Sequence, residues 1–401
     1  MDVLSLLQKN KISLTSPNEL CVECKRNKRV HCPHKYLVKL KHQKIFDKEY
    51  FFGPTPPNIF VPHFNYPKIS PNPIFLLDEK IDVNPSSWYG WDFKKIFYAS
   101  SMQIRASFIN PKENTKMLQN ISDVFLSFKP VDVEADYVKK PSLFVNFHQI
   151  HSPVGPKALI KKFSVVSNPS VPKKVDSLIQ ENLSASESIF ELFKAGFDEF
   201  YICKIFSAGF LGKIQNKKFV PTKWSITATD SILAKFFIKK IKMFSFLDKI
   251  LVFENLYLAN KFTIILFPGS WEFENIEAWC GSKTNYAISS EYESFFGRTS
   301  YAQKQGGGYY ASLFAISEAL VKKLKKQAKV LVIREIMPQY DIPVGVWEIR
   351  ENVRHAFDKE PKKFDNKKEL FNYLEKILFL EIKNYSLFSR FLAQTNLEDF
   401  N

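Results

Sequence analysis

Between Phe51 and Pro85 the chain carries Pro54, Pro56, Pro57, Pro62, Pro67, Pro71, Pro73 and Pro85. Proline fixes φ and lacks an amide donor. The stretch is therefore excluded from a regular helix and from the middle of a sheet. Phe60, Phe64 and Tyr66 sit among these prolines, whereas a simple linker is polar. The pattern predicts an ordered, extended segment laid on a folded domain.

After this segment the text is mixed. Apolar runs at 143–149, 249–254 and 262–267 read as strands. Periodic segments near 175–195 and 230–246 read as helices, with Asp176 and Asp230 as N-caps. A second region opens near Gly281. Gly306, Gly307 and Gly308 precede a helix with Leu313, Ile316, Leu320 and Leu324 on one face. Lys322, Lys325, Lys326 and Lys329 lie on the other. A strand at 330–333 ends in Arg334 and Glu335. A helix at 346–357, a charged linker at 358–368 and an apolar helix at 370–382 follow, and the end from Tyr385 is tail-like. No internal repeat is present. The alternation predicts an α+β fold: a mixed-sheet domain with a small N-terminal zinc-binding knot and a C-terminal α/β region ending in helix and tail. The expected divisions are 1–40, 41–280, 281–393 and 394–401.

Composition narrows the class. Of 401 residues, 45% are hydrophobic and 24% charged, as in a folded globular protein. No run is long and apolar enough for a membrane helix, and Met1 to Leu7 is too short and weakly basic for a signal peptide. A cytoplasmic, nucleoid-associated protein without membrane contact is expected. Lys and Arg number 57 against 41 Asp and Glu, a net charge of +16. That surplus attracts polyanions such as DNA or RNA, although it also serves plain solubility.

Three of the five cysteines lie within one short segment, with Cys21 and Cys24 in C-x2-C spacing, then His31, Cys32 and His34. A tetrahedral zinc wants four such ligands. Cys21, Cys24, Cys32 and His34 are the expected set. His31 is the alternative, disfavoured because it adjoins Cys32 directly. Such a closed site is structural. Lys25, Arg26, Lys28 and Arg29 sit inside the loop, as a phosphate-gripping patch or as solvated charges. The Lys322, Lys325, Lys326 and Lys329 face is the second candidate patch. Cys203 and Cys280, alone in apolar surroundings, read as core cysteines.

A second constellation lies further on. Trp224 and Asp230 share one short stretch. Arg298, Tyr301, the Gly306–Gly308 run, Tyr309, Arg334, Trp347, Arg350 and Arg354 follow. Glycines admit close approach of a ligand, and a helix N-terminus offers free N–H groups and positive potential. Together they favour a phosphate. Arginine forks grip phosphate, and Trp347, Tyr301 and Tyr309 are candidates to stack bases. The competing reading is buried structural pairs, such as Arg334 with Glu351, and core aromatics. The glycine spacing matches neither a Walker A loop nor G-x-G-x-x-G.

The tail offers Gln394, Leu397 and Phe400 at three-residue steps. One tight turn places Leu397 and Phe400 on one side, fit for an apolar pocket of a sliding clamp, with Gln394 at the rim. The second aromatic residue usual in such peptides is replaced by Asn401.

Several blocks carry a family resemblance: CVECKRNKRVHCPH, FFGPTPPNIFV, VPTKWSITATD, EAWC, FGRTSYAQKQGGGYYA, VLVIREIMPQYDIPVGVWEIRENVRHAF and the terminal QTNLEDF. In order from residue 21 to the end, they resemble the archaeal Nre family of DNA-repair proteins. The resemblance implies a role in DNA repair, a zinc-binding N-terminus and interaction with the archaeal sliding clamp, PCNA. It brings no chemical activity. The family's metal segment usually has four cysteines ending in Cys-Pro. Here Cys21, Cys24 and Cys32 followed by Pro33 match it, one cysteine is missing and the loop is shorter. The leading expectation is a clamp-recruited factor that binds DNA, single-stranded or damaged forms included. The alternative is an enzyme acting on a nucleotide or nucleic-acid end at the glycine–arginine constellation. An adaptor joining the clamp to other proteins ranks last. No Ser-His-Asp set, acidic metal motif or Walker pair supports a particular reaction, so catalysis stays open.

Overall fold

A computed structural model describes residues 48–393 apart from 57, 65, 68, 70, 109–114, 143–147, 154 and 341, with only the backbone for 115–120. The expected zinc knot, the basic loop within it, most of the 143–149 strand and the clamp-binding tail lie outside the described residues. The chain divides into two compact units. The first runs to Ile232 and includes Ile342–Gly345; the second comprises Leu233–Asp341 and the chain from Val346.

The first unit contains strands β1 (Tyr50–Thr55), β2 (Ile59–Phe60), β3 (Asn72–Leu76), β4 (Gln103–Phe108), β5 (Val131–Tyr137) and β6 (Lys157–Val165). They form one sheet in the order β1-β5-β6-β4-β3-β2. Only β4 and β6 pair in parallel. The helices are α1 (Phe93–Ser101), α2 (Thr115–Leu126), α3 (Lys173–Gln180), α4 (Ala185–Lys194), α5 (Glu199–Ser207) and α6 (Thr222–Ile241), the last running past the division at Ile232.

The proline-rich segment does enter the sheet, at its margins. Pro54 lies in β1, an edge strand. Pro73 lies in β3, whose ladder with β4 begins only at Ile74, so the missing amide costs no bond on that side. The core follows from alternation. In β5, Val131, Val133, Ala135 and Tyr137 point inward while Asp132 and Glu134 face out. Phe75 stacks on Phe51 with ring centroids 4.5 Å apart and adjoins Tyr137 and Phe163.

The second unit holds β7 (Ile250–Tyr257), β8 (Asn260–Phe267), β9 (Glu272–Cys280), β10 (Tyr286–Glu293), β11 (Lys329–Ile336) and β12 (Lys362–Phe364). Their order is β10-β9-β11-β8-β7-β12, with β9 and β11 parallel and the rest antiparallel. Its helices are α7 (Gly307–Ala319), α8 (Trp347–Ala356), α9 (Lys367–Ile377), α10 (Ile382–Ser386) and α11 (Arg390–Ala393). The fold is α+β with two mixed sheets. The expected division at 280/281 falls in the hairpin between β9 and β10.

Four local expectations are corrected. Asp176 is no N-cap: α3 starts at Lys173 after Pro172, and Asp176 sits in its first turn, where a carboxylate favours the helix dipole. Asp230 is buried in the middle of α6. The span 175–195 is two helices, the second opened by a capping box of Ser184 and Glu187. The helix after the glycines is not amphipathic either. Twelve of the thirteen residues of α7 are buried, so it is an internal helix. It passes into a π turn at Leu320–Leu324 and stops at Lys325, which is left-handed, and Lys329 opens β11.

Candidate functional site

The parallel pairing of β9 and β11 sets Glu277 beside Arg334. Arg334 Nη1 donates to Glu277 Oε1 at 2.9 Å, Nη2 to Glu348 Oε2 at 3.4 Å, and Nε to Asn260 Oδ1 at 2.9 Å. Asn352 Nδ2 donates to Glu348 Oε1 at 3.0 Å and to the Asn260 carbonyl at 3.0 Å. Asn255 and Lys359 continue the chain at 2.8 and 2.7 Å. All of these residues but Lys359, which is exposed, are buried. Burial pushes the Glu348 carboxyl up to about 7 against the opposing pull of Arg334.

Gly308 belongs to this cluster. A Cβ there would lie 2.8 Å from Glu277 Oε1 and 3.4 Å from the Ile349 side chain. The first turn of α7 therefore faces a carboxylate already held by Arg334. Gly306 has φ +52°, a conformation that favours glycine, and its Cα faces the Tyr301 hydroxyl. Arg298 lies nearby. Its Nη2 pairs with Glu291 at 2.9 Å, its Nε donates to the Ser300 carbonyl, and its guanidinium covers the Tyr309 ring at 4.8 Å. Tyr309 donates to Glu293 at 3.2 Å, and burial together with that carboxylate holds its hydroxyl above the usual range.

The structure thus brings Arg298, Tyr301, Gly306–Gly308, Tyr309 and Arg334 into one neighbourhood. Trp347 and Arg350 lie on α8, which begins there, and both are buried. Stacking of bases on Trp347 or Tyr309 is not met: both rings are in the core, Trp347 edge-on to Tyr257 at 6.2 Å. Arg354, in the last turn of α8, reaches the far end of α7, pairing with Glu318 at 2.9 Å, and with Glu351 of its own helix at 2.7 Å. The pair expected between Arg334 and Glu351 is replaced by Arg334 with Glu277 and Glu348. Glu335, next to Arg334 in β11, accepts hydrogen bonds from the Phe379 amide at 2.6 Å and from the Tyr385 hydroxyl. Period-two alternation sends the two charged neighbours to opposite faces, one to α8 and one to the C-terminal helices.

The lysine face dissolves in the structure. Lys322 pairs with Glu318 at 2.7 Å and Lys329 with Glu272 at 3.0 Å. Lys326 reaches Asp248 at 3.8 Å and the Phe246 carbonyl at 3.2 Å. Lys325 sits in the turn and Lys329 in a strand, so the four share no helix surface. Cys203 and Cys280 are buried free thiols.

Trp224 and Asp230 fall in the first unit. Asp230 is buried, while Trp224 is 43% exposed. Lys223, next to Trp224 in the chain, acts electrostatically on His63 and His148, and these with Arg105 act on His151, a group that was not singled out from the sequence. The His148 and His151 rings stack at 4.4 Å. His151 meets Phe60 edge-on at 5.1 Å, and the Arg105 guanidinium lies over the Phe60 ring at 4.8 Å. The spacing of His148 and His151 was the available signal; His63 and Arg105 come from distant segments.

Fold and site define a two-unit α+β protein whose second sheet carries a buried polar network around Arg334. The archaeal Nre N-terminal profile matches residues 27–285 and the archaeal Nre C-terminal profile matches residues 293–400. The chain belongs to the archaeal Nre family. It is 33% identical over 359 residues to DNA repair protein NreA of Archaeoglobus fulgidus, covering 86% of this chain and 90% of that one. It is 32% identical to DNA repair protein NreB of the same organism over 90% and 94% of the two chains. DNA repair protein NreA of Haloferax volcanii is 34% identical over 77% and 78%. No solved structure matches the chain. Among the described residues no helix is long and apolar enough to cross a membrane, and no group of His, Cys, Asp and Glu is arranged to hold a metal ion.

Proposed function

We propose that this chain is a DNA-repair factor that binds nucleic acid and is recruited by the sliding clamp, PCNA, through its C-terminal peptide. The observation that carries the reading is similarity along most of its length to three proteins named for DNA repair. The net charge of +16 supports attraction to a polyanion. In this reading the N-terminal knot holds a structural zinc through Cys21, Cys24, Cys32 and His34, and Gln394, Leu397 and Phe400 engage the clamp. Titration of labelled DNA by anisotropy tests it. Affinity should fall steeply between about 50 and 200 mM salt as counterions are released. Absence of binding at low salt overturns the nucleic-acid role.

A second reading, an enzyme or binder for a nucleotide at the glycine–arginine neighbourhood, has one observation in its favour. Arg298 Nη1 is buried without a hydrogen-bond partner in the structure. The carboxylate of Glu277 at Gly308 and that of Glu291 on Arg298 weigh against an added phosphate there. Gly307→Val should abolish nucleotide binding with the fold intact if this reading holds.

A further inference from the structure

The group around Trp224 is basic throughout. Lys223 sits in the first turn of α6, at its positive end. That end is pinned to the proline-rich segment: the Thr222 amide donates to the Val61 carbonyl at 2.9 Å, and the Val61 amide donates to Thr222 Oγ1 at 2.8 Å. The segment thereby carries His63, Phe64 and Tyr66 next to Lys223 and Trp224. His63 and Phe64 rings lie 4.1 Å apart, and Tyr66 meets Trp224 edge-on at 4.9 Å. Lys218 Nζ lies 5.8 Å from the Tyr66 ring.

The imidazoles have fixed roles. His148 Nδ1 accepts from the Ile150 amide at 3.0 Å, so in the neutral ring the proton is on Nε2. His151 Nδ1 faces the Ser152 carbonyl at 2.8 Å and carries its proton there. Gly345 closes the back of this loop, its Cα so near the His151 and Ser152 backbone that a Cβ would lie 2.7 Å from it. Burial pushes His148 down to about 4 and His151 to about 3. The charges acting on them come from bases: Lys223 and His63 on His148, and His148, Arg105 and His63 on His151. His63 is lowered by burial and by Lys223. The neutral rings still offer an N–H, and a phosphate accepts from an imidazole N–H and an ammonium together.

We propose that Lys223, His63 and His148 hold a phosphate of an unpaired nucleotide whose base stacks on Trp224, making this face of the first unit the single-strand contact. Trp224 follows Lys223 in the chain and is exposed, and a base reaches such a ring only when out of the duplex stack. The other tryptophans among the described residues are more buried. The inference rests on the nucleic-acid reading above and assigns its surface.

The test uses the full chain and the emission of Trp224. Wild type is titrated with a short oligothymidylate, the same sequence as duplex, the mononucleotide, and inorganic phosphate. The oligothymidylate should quench emission and bind tightest. Trp224→Ala should weaken it about tenfold, a typical loss for one stacked base. Trp224→Phe, which keeps a stacking face, should stay within about twofold while the quenching disappears. Lys223→Gln should weaken binding and reduce the salt slope by about 0.7, the share of one phosphate on a single strand. Circular dichroism confirms that each variant is folded. Wild-type affinity in both Trp224→Ala and Lys223→Gln overturns this site and leaves the repair-factor reading standing. Equal binding of the mononucleotide or of phosphate overturns the strand contact in favour of a small-anion site. No binding by wild type overturns both.

Discussion

The α-carbon of Gly308 stands against the carboxylate of Glu277, leaving no room for a methyl group: a Cβ would sit 2.8 Å from Oε1. The carboxylate has no freedom to retreat, because Arg334 holds the same oxygen at 2.9 Å inside the unit. In an exposed helix, Gly→Ala stabilises by about 1 kcal/mol. Here Gly308→Ala should instead destabilise by about 1–3 kcal/mol, the usual cost of overpacking. Urea denaturation of the variant checks the sign, and a more stable Gly308→Ala would refute the account of this glycine.

Glu348 gives the network a pH signature. Its folded value is about 7 against an ordinary 4.5, so between those values the folded state binds more protons than the unfolded one. Stability from this group is fully present below about 4.5 and is lost as pH rises through about 7. Glu348→Gln keeps the acceptor for Asn352 and removes the titration. The stability difference between wild type and Glu348→Gln should therefore move against wild type from pH 5 to pH 7. A pH-independent difference would contradict the burial of this carboxyl in its charged neighbourhood.

The strands of the second unit were legible as runs. The expected 249–254, 262–267 and 330–333 are β7, β8 and β11, each longer than its apolar stretch by a few residues at the ends. The helix at 346–357 is α8 within a residue at each end. What failed depended on tertiary partners. The start of α6 was hidden because Thr222 spends its hydroxyl on the Val61 amide rather than on its own helix, so Asp230 was taken for the cap. The lysines after the glycines mimicked a polar helix face because the helix ends before the last three of them, at a π turn and a left-handed residue. Of the glycine–arginine constellation, proximity was legible and chemistry was not. Arg298 and Arg334 do lie near the glycines, but their carboxylate partners come from β9, β10 and α8. Of the histidine group only the spacing of His148 and His151 was legible, since only the fold joins residue 63 to residues 148–151.

For the N-terminal segment, purified protein should carry about one zinc per chain, read by elemental analysis. Cys24→Ala should lose the metal. The main cores persist, since each unit has its own buried sheet, and the thermal transition of the remainder should stay in place. Folded wild type free of zinc, prepared without chelators, would remove the assignment of Cys21, Cys24, Cys32 and His34.

A chain ending at Ala393 tests the proposed clamp peptide, because the described contacts of the last turn all lie before it. The last described turn, α11, is anchored. Phe391 and Leu392 are buried, and Phe391 sits 6.1 Å from Phe267 ring to ring. Ser389 Oγ donates to Glu274 Oε2 at 2.6 Å, and the Arg390 amide donates to Glu274 Oε1 at 2.9 Å. The Arg390 guanidinium covers Tyr292 at 4.2 Å. A chain ending at Ala393 keeps every one of these contacts and should unfold at the same temperature as the full chain. Cutting before Ser389 would uncap the Glu274 carboxylate, already raised by burial, and expose the core beneath it. The comparison of full length with the Ala393 truncation therefore isolates Gln394, Leu397 and Phe400. Clamp affinity, measured by calorimetry, should be lost in the truncation and should drop at least tenfold in Phe400→Ala, as for an anchoring aromatic in an apolar pocket (a loss of about 1.4 kcal/mol or more). Salt-dependent binding to DNA should be the same in both chains. Equal clamp binding by the two would show that the tail is not the contact.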